Sequence, residues 1–304
     1  MYSVVIPVFN SVDIIEKTVS GVRDYFLSSN KKFEIILVND GSRDNSWEVI
    51  ERLANEYNEL ISINLIKNYG QHNASMCGFR HASGDYLITM DDDLQNPPEE
   101  IAKLIGKANE GYDLVIGCFE TKKHSLVRRL GSKLVGWINR SAFEIQKDLI
   151  LSNFRIIRKD VYSRVCEDNS VTPYVPGLLL KFSGNPANVL VMHNKRAQGH
   201  SNYTLRSLIS LVANLLFNHT TIPLRCVAIF GFITSGVSFS LGIFYFIKTL
   251  ITGSEVAGWA TLVVLLSFFN GILVLILSVL GEYQVRILRE ISSNKSYQID
   301  KVVR

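Results

Sequence analysis

The chain has 304 residues, of which 47% are hydrophobic and 20% charged, and its mean hydropathy is +0.16. This value is high for a soluble protein and low for one embedded entirely in a membrane, so we expect a soluble domain joined to a few membrane spans. The net charge of +4 gives no indication of a nucleic-acid partner. Cys77, Cys118, Cys166 and Cys226 lack CxxC spacing, which indicates neither a zinc site nor a disulfide framework.

Residues 1 to about 120 alternate between short β-branched runs and amphipathic stretches. The predicted strands are SVVIPVF, FEIILVN, LISINLI, DYLITM and YDLVIG, and the predicted helices span 12–28, 45–59, 71–82 and 98–110. This alternation predicts an α/β fold, with a mostly parallel sheet covered by helices on both faces. In such sheets, ligands bind beyond the carboxyl ends of the strands.

Polar residues follow three of the predicted strands, as PVFN, NDGSRDNS and the acidic triplet Asp91–Asp93. We expect them to line one crevice. GxGxxG and Walker A patterns are absent, so neither of these phosphate-binding devices is available. Residues i and i+2 of an extended segment point the same way, so Asp91 and Asp93 can converge on one ion while Asp92 points elsewhere. The triplet therefore predicts Mg²⁺ or Mn²⁺ bridging carboxylates and substrate phosphates.

Two local helix starts are predicted beside these clusters. After the triplet, Asn96 is the expected N-cap, Pro97 the first helical position and Glu99 the capping-box partner. In NDGSRDNS, the plainer interpretation is a turn followed by a helix that Asp44 or Asn45 caps.

Two uncharged stretches, about 227–247 and 259–281, are long enough to cross a bilayer. Two buried helices of a large globule are the alternative. Basic residues flank the pair on its outer sides, and no secretory signal precedes the first strand. The positive-inside rule then places both termini in the cytoplasm and 248–258 outside. We predict a cytoplasmic domain over 1–225, two transmembrane helices within 226–282 and a cytoplasmic tail over 283–304.

Residues 122–141 combine an apolar helical stripe with basic side chains on and beside the other face. This pattern favours an amphipathic helix in the membrane interface. An ordinary surface helix packed on the sheet is the alternative.

A family resemblance joins these observations. PVFN, VNDGS, NYGQHNASMCGF, DDDLQNPPEE, NFRIIRKDV, RAQGHSNY, TIPLR and GEYQVRI occur in that order. Together they resemble the polyprenyl-phosphate glycosyltransferases, family 2 enzymes with the GT-A (Rossmann-like nucleotide-diphospho-sugar transferase) fold. The resemblance covers nearly the whole chain.

The resemblance implies metal-dependent, inverting transfer of a sugar from a nucleotide sugar, expected to be a UDP-sugar, to undecaprenyl phosphate. It also implies a multi-pass protein of a bacterial plasma membrane that acts in cell-envelope glycan or lipopolysaccharide modification. It does not decide the oligomeric state, for which a homo-oligomer such as a tetramer is one option. The alternatives are a membrane polysaccharide synthase, whose QxxRW motif is absent, and a non-catalytic nucleotide-sugar-binding membrane protein.

The resemblance also implies roles by position. The catalytic residues are Asp91, Asp93 and Arg196; the metal set is Asp91, Asp93 and Gln95; the nucleotide-sugar set is Pro7, Phe9, Asp40, Asp91 and Asp92; and the lipid-phosphate set is Arg155, Arg196 and Ser201. His72 is the nearest candidate for a general base, with a helix-start polar residue as the plainer interpretation. Lipid phosphate needs no base, because a phosphate's second pKa is about 6.

Three positions depart from the family pattern. Ser11 stands where the family usually has Glu, Asp92 where it usually has Ala, and Asn202 where Lys is common. Ser11 removes one expected nucleotide contact, the missing lysine leaves more of the phosphate binding to Arg196, and the sequence does not explain the extra charge of Asp92.

Overall fold

The computed structural model describes residues 1–119, 149–168, 170, 173–194, 258–292 and 297–304, together with helical residues at intervals between 229 and 251. The contacts divide the chain into two compact units. One comprises Met1–Tyr203 with Ser293–Arg304, and the other Thr204–Ser292. The predicted helix over 122–141 and most of the stretch over 227–247 lie outside the described residues.

The first unit contains a mixed eight-stranded sheet. Its strands are β1 (Tyr2–Val8), β2 (Phe33–Asn39), β3 (Leu60–Leu65), β4 (Tyr86–Thr89), β5 (Leu114–Cys118), β6 (Arg155–Arg158), β7 (Pro186–Leu190) and β8 (Ile299–Val303). Their order is β7-β5-β6-β4-β1-β2-β3-β8. Strands β3, β2, β1 and β4 run parallel, as predicted, whereas β6 and β8 are antiparallel to their neighbours.

Helices cover both faces of this sheet. They are α1 (Ile15–Ser28), α2 (Ser46–Glu56), α3 (Gln71–His81), α4 (Ile101–Ala108), α5 (Lys159–Cys166) and α6 (Val175–Phe182). Alternate residues of β1 point to opposite faces. Val4 and Ile6 pack in the core that contains residues of α1, α2 and α4, whereas Val5 packs in the core that contains residues of α3, α5 and α6.

The start of the α4 region corrects one prediction. Asn96 is not the N-cap, because a 3-10 turn over Pro98–Glu100 begins after Pro97 and leads into α4. Pro97 is followed by a second proline, which disfavours the α conformation for the preceding residue, and it is accordingly extended, with φ −59° and ψ 133°. The helical region therefore begins one residue later than predicted, with Pro98 in its first turn.

In the second unit, helix α7 (Trp259–Ser292) runs through the predicted stretch 259–281 and beyond it. By length and hydropathy, no helix in the described portion of the chain qualifies as a membrane span. The chain then returns to the first unit, where β8 pairs with the outer edge of β3. β8 lies within the predicted tail over 283–304, where the sequence pattern predicts no strand.

Candidate active site

The polar segments after β1, β2 and β4 contact one another at the carboxyl ends of these parallel strands. The N–H of Phe9 donates to Asp92 Oδ2 at 3.2 Å, and the N–H of Asn10 donates to Ser42 Oγ at 3.0 Å. The crevice predicted from the sequence therefore has three walls in contact: residues 9–12, which we call the β1 turn, the loop over 40–46, and the acidic triplet.

Asp91 is held by two side-chain amides. Gln71 Nε2 donates to its Oδ1 at 2.6 Å and Asn153 Nδ2 to the same atom at 3.3 Å. Burial and, to a lesser extent, the negative charge of Asp93 raise the pKa of Asp91. Gln71 and Asn153 were not singled out by the sequence analysis, although both lie in the motifs that carry the resemblance.

Asp93 lies at the start of a tight turn. The N–H of Gln95 donates to its Oδ1 at 3.2 Å, and Leu94 between them has a positive φ of 56°. The carbonyl of Gln95 accepts the N–H of Asn194 at 2.9 Å. This turn brings Asp93 and Gln95 to the same end of the sheet as Asp91.

Arg155 lies under the triplet rather than on the surface, with only 2% of its area exposed. Its Nε donates to Thr89 Oγ1 at 3.1 Å. Burial lowers the pKa of the guanidinium to about 10, and the charge of Asp91 opposes that shift. Arg155 therefore stays protonated at neutral pH and supplies a buried positive charge near Asp91.

The Asp92 carboxylate contacts the β1 turn, whereas that of Asp91 contacts Gln71 and Asn153. Asp92 Oδ2 accepts the N–H of Phe9 and a short hydrogen bond from Ser11 Oγ. Burial raises the pKa of Asp92 to about 6, against the opposing effect of these two hydrogen bonds. The two unexplained departures from the family pattern, Ser11 and Asp92, are thus a hydrogen-bonded pair.

Side-chain oxygens hold the whole β1 turn. Its four consecutive N–H groups each donate to a side-chain oxygen: Phe9 to Asp92 Oδ2 (3.2 Å), Asn10 to Ser42 Oγ (3.0 Å), Ser11 to Ser46 Oγ (2.8 Å) and Val12 to Asp44 Oδ2 (3.2 Å).

The start of α2 uses the same loop. Asn45 is the N-cap residue of α2 and makes no side-chain cap bond, while Asp44 Oδ1 accepts the N–H of Ser46 at 3.1 Å. The loop over 40–46 therefore supports both α2 and the β1 turn.

Asp40 is buried, with 3% of its area exposed. Its two carboxylate oxygens accept the N–H groups of Tyr69 at 2.7 Å and Gly70 at 2.9 Å, which fixes the turn before α3. Burial raises its pKa, and these backbone hydrogen bonds lower it by less. A nucleotide contact by Asp40 stays a prediction, and its observed contacts are structural.

The remaining predicted positions are distributed as follows. Pro7 is partly exposed in β1, and the Phe9 ring, just beyond the strand end, is 44% exposed. His72 lies in the first turn of α3 with its ring edge-on to Tyr174, 5.4 Å between centroids. Arg196 and Ser201 lie outside the described residues.

The donor atoms of the acidic triplet suit a hard divalent cation. In the residues that the structure describes, no three acidic, histidine or cysteine side chains form a ready-made metal site. Mg²⁺ in particular is commonly bound by one or two carboxylates together with substrate phosphates and water, so two aspartates are enough. Burial and the charge of Asp93 both raise the pKa of Asp91, and a bound cation would favour its ionised form.

Sequence comparison identifies the class of protein that this site serves. Residues 3–164 match the model of glycosyl transferase family 2. The chain belongs to this family and is a glycosyltransferase, which favours the enzyme over the non-catalytic alternative.

Curated relatives match along nearly the full length. The chain is 36% identical over 304 residues to the undecaprenyl-phosphate 4-deoxy-4-formamido-L-arabinose transferase of Shewanella sediminis (strain HAW-EB3), covering 99% of this chain and 92% of the relative. It is 35% identical over 306 residues to the transferase of the same name from Edwardsiella ictaluri (strain 93-146), covering 99% and 94%. The predicted resemblance to polyprenyl-phosphate glycosyltransferases is thereby confirmed.

Solved structures support the fold. Glucosyl-3-phosphoglycerate synthase from Mycobacterium tuberculosis, in complex with Mn²⁺, UDP-glucose and phosphoglyceric acid, superposes with a TM-score of 0.51 at 17% identity, covering 71% of this chain and 77% of that one. A second crystal of this complex gives a TM-score of 0.53 at 17% identity, with the same coverage. At this identity the similarity establishes the GT-A type α/β fold alone.

Proposed function

We propose that this glycosyltransferase moves a sugar from a nucleoside-diphosphate sugar, a UDP-sugar in the first instance, to undecaprenyl phosphate, with inversion at the anomeric carbon. The full-length similarity to relatives named for that acceptor carries the proposal. Their names also make 4-deoxy-4-formamido-L-arabinose the first sugar to test. The product would serve cell-envelope glycan synthesis or lipopolysaccharide modification.

The donor diphosphate would meet the acidic strand end. Asp91 and Asp93, with Gln95, would hold Mg²⁺ or Mn²⁺ between the protein and the diphosphate, where the ion supplies Lewis-acid stabilisation of the leaving group. Gln71 and Asn153 keep the Asp91 carboxylate in one orientation through their bonds to Oδ1. Arg155 offsets part of the negative charge from the buried side.

The nucleoside would lie on the β1 side of the crevice. Phe9 offers an exposed aromatic ring there, two residues after Pro7 in the sequence. An aromatic face can stack on a base without selecting among bases, so this contact supports nucleotide binding in general and not uridine in particular.

The acceptor phosphate needs no general base, because it is largely ionised at neutral pH, with a second pKa of about 6. A hydroxyl acceptor would need one. We assign Arg196 and Ser201 to the acceptor phosphate on the sequence alone. The planar guanidinium of Arg196 can bind two phosphate oxygens at once. The buried position of Arg155 gives it a supporting role beside Asp91.

The direct test offers membranes containing the protein a panel of labelled nucleotide sugars with either undecaprenyl phosphate or undecaprenol. We expect label in the lipid only with the phosphate, and an inverted anomeric configuration in an acid-labile product. Equal use of undecaprenol, or retention of configuration, would refute the phosphate-nucleophile mechanism. The label that enters the lipid identifies the sugar.

We also propose that 227–247 and 259–281 anchor the chain in the plasma membrane, with the glycosyltransferase domain cytoplasmic. Their uncharged sequences and the basic residues on their outer flanks support this orientation. Impermeant thiol labelling of intact cells should reach a cysteine introduced at Ser254 and miss one at Ser292, in a background without the natural cysteines. The reverse pattern would refute the topology.

A further inference from the structure

Asp92 links two walls of the crevice that otherwise come from separate segments. Of the four side-chain oxygens that hold the β1 turn, three belong to 42–46, and the fourth is Asp92 Oδ2. Its carboxylate therefore ties the β1 turn to the strand end that carries Asp91 and Asp93.

The backbone of Asp92 is fixed as well. Thr18 Oγ1, on α1, donates to its carbonyl at 3.0 Å. With its main chain anchored on α1 and its carboxylate bonded to Phe9 and Ser11, Asp92 has defined partners on both sides. A carboxylate fixed in this way can transmit the position of the acidic strand end to the β1 turn.

We propose that Asp92 is a positioning residue for the donor nucleotide: it holds the β1 turn, and with it the exposed Phe9 ring, in register with the acidic strand end. This inference rests on the proposed function and deepens it. A nucleoside diphosphate extends from base to phosphates, so both ends of its site must keep a fixed separation if both are to bind at once.

Ser11 complements this arrangement. Its hydroxyl donates to Asp92, and its own N–H is held by Ser46. A glutamate at position 11 would bring a second carboxylate against that of Asp92, and two such charges repel. Serine at position 11 is therefore compatible with aspartate at position 92, because only one of the two positions then carries a negative charge, on the β4 side of the crevice.

The test measures nucleotide binding to the detergent-purified full-length protein by calorimetry, using ADP, GDP, CDP and UDP with Mn²⁺. For the nucleotide that binds best, Asp92→Ala should weaken affinity about tenfold, since it removes hydrogen bonds to a charged acceptor. Asp92→Asn keeps an acceptor oxygen and should stay within about threefold. Asp13→Ala removes an exposed carboxylate nearby and should change affinity less than about twofold.

Hydrogen exchange over residues 9–12 gives a readout that does not depend on turnover. It should accelerate in Asp92→Ala and remain slow in Asp92→Asn. If both variants lose nucleotide and Mn²⁺ affinity equally, Asp92 acts through its charge at the metal, and the positioning role is wrong. If Asp92→Ala binds as the wild type does, the inference also fails.

Two further variants, which move the negative charge from position 92 to position 11, keep the test decisive even if Asp92→Ala alone does not fold. Ser11→Glu should weaken nucleotide binding, and Ser11→Glu combined with Asp92→Ala should restore much of it. Wild-type affinity in Ser11→Glu alone would overturn the inference. Absence of binding of all four nucleotides to the wild type would overturn the proposed function together with this inference, whereas wild-type binding that Asp92→Ala retains would overturn the inference alone.

Discussion

Two groups of aspartates lie at the ends of β2 and β4, the strands on either side of β1, and their carboxylates bind different partners. After β2, Asp40 and Asp44 accept backbone N–H groups from Tyr69, Gly70, Ser46 and Val12. After β4, Asp91 accepts two side-chain amides instead, and Asp93 accepts the backbone N–H of Gln95. The first pair fixes loops through backbone hydrogen bonds. In the second group, side chains from other segments orient Asp91, and the tight turn at Leu94 orients Asp93.

The largest expected effect is on catalysis and concerns the second group. Asp93→Asn replaces a carboxylate ligand by a neutral amide, which binds a hard cation less well, so turnover should fall on the order of 100-fold. The unfolding temperature should change little. Turnover with undecaprenyl phosphate, measured with Mn²⁺ and with EDTA, checks this. Activity that survives both the substitution and EDTA would show that no metal is used.

The next effect is on stability and concerns Asp40. In the wild type both carboxylate oxygens accept N–H groups, whereas in Asp40→Asn an amide nitrogen faces one of these donors. The free energy of unfolding should therefore fall by about 2 kcal/mol. Mn²⁺ affinity should remain close to the wild-type value. Thermal unfolding and metal titration measure the two quantities separately. A loss of metal affinity without a loss of stability would place Asp40 in the second group.

A smaller loss is expected at Asp44. Asp44→Ala removes the acceptor for the N–H groups of Ser46 and Val12, so stability should fall by about 1 kcal/mol, as for a lost helix cap. Since Val12 belongs to the β1 turn, exchange over residues 9–12 should also increase. Asp44→Asn retains one acceptor and is the matched control. Equal stability of all three proteins would remove Asp44 from the structural group.

The smallest effect is a pH dependence. The pKa of Asp40 is raised in the folded protein above the ordinary value of 3.8, so the folded state binds the proton more tightly than the unfolded state. Stability relative to Asp40→Asn should therefore increase as pH falls through that raised pKa toward 3.8, and decrease as pH rises. Chemical unfolding of both proteins from pH 7 to pH 4 checks the sign. A difference that shrinks on acidification would contradict it.

Much of the fold could be predicted because the parallel strands are continuous β-branched runs separated by amphipathic helices. β2 has the predicted bounds, and β1, β3, β4 and β5 differ from theirs by one or two residues. β8 could not be found in this way. Its sequence, IDKVV, carries two charges and lacks a clear alternating pattern, and it pairs with β3 across most of the chain length.

The site was predictable in its chemistry and less so in its contacts. A row of aspartates after a buried strand is visible in the sequence, and the alternation of side chains predicts that Asp92 points away from Asp91 and Asp93. The partners of these residues are not visible in the sequence, because Gln71, Asn153 and Ser11 come from other segments and meet the triplet only after folding. The burial of Arg155 likewise depends on the antiparallel insertion of β6 beside β4.

The final strand has a consequence for synthesis. β8 is separated from β3 by most of the chain, so the edge of β3 stays open until β8 has been synthesised. Asp300 then accepts a hydrogen bond from Asn64 at 3.0 Å, and Asn64 accepts one from Asn39 at 2.7 Å. An open edge of this kind can pair with another chain. Truncation before Ile299 leaves this edge unpaired and should therefore promote aggregation during synthesis, before any membrane or substrate is involved.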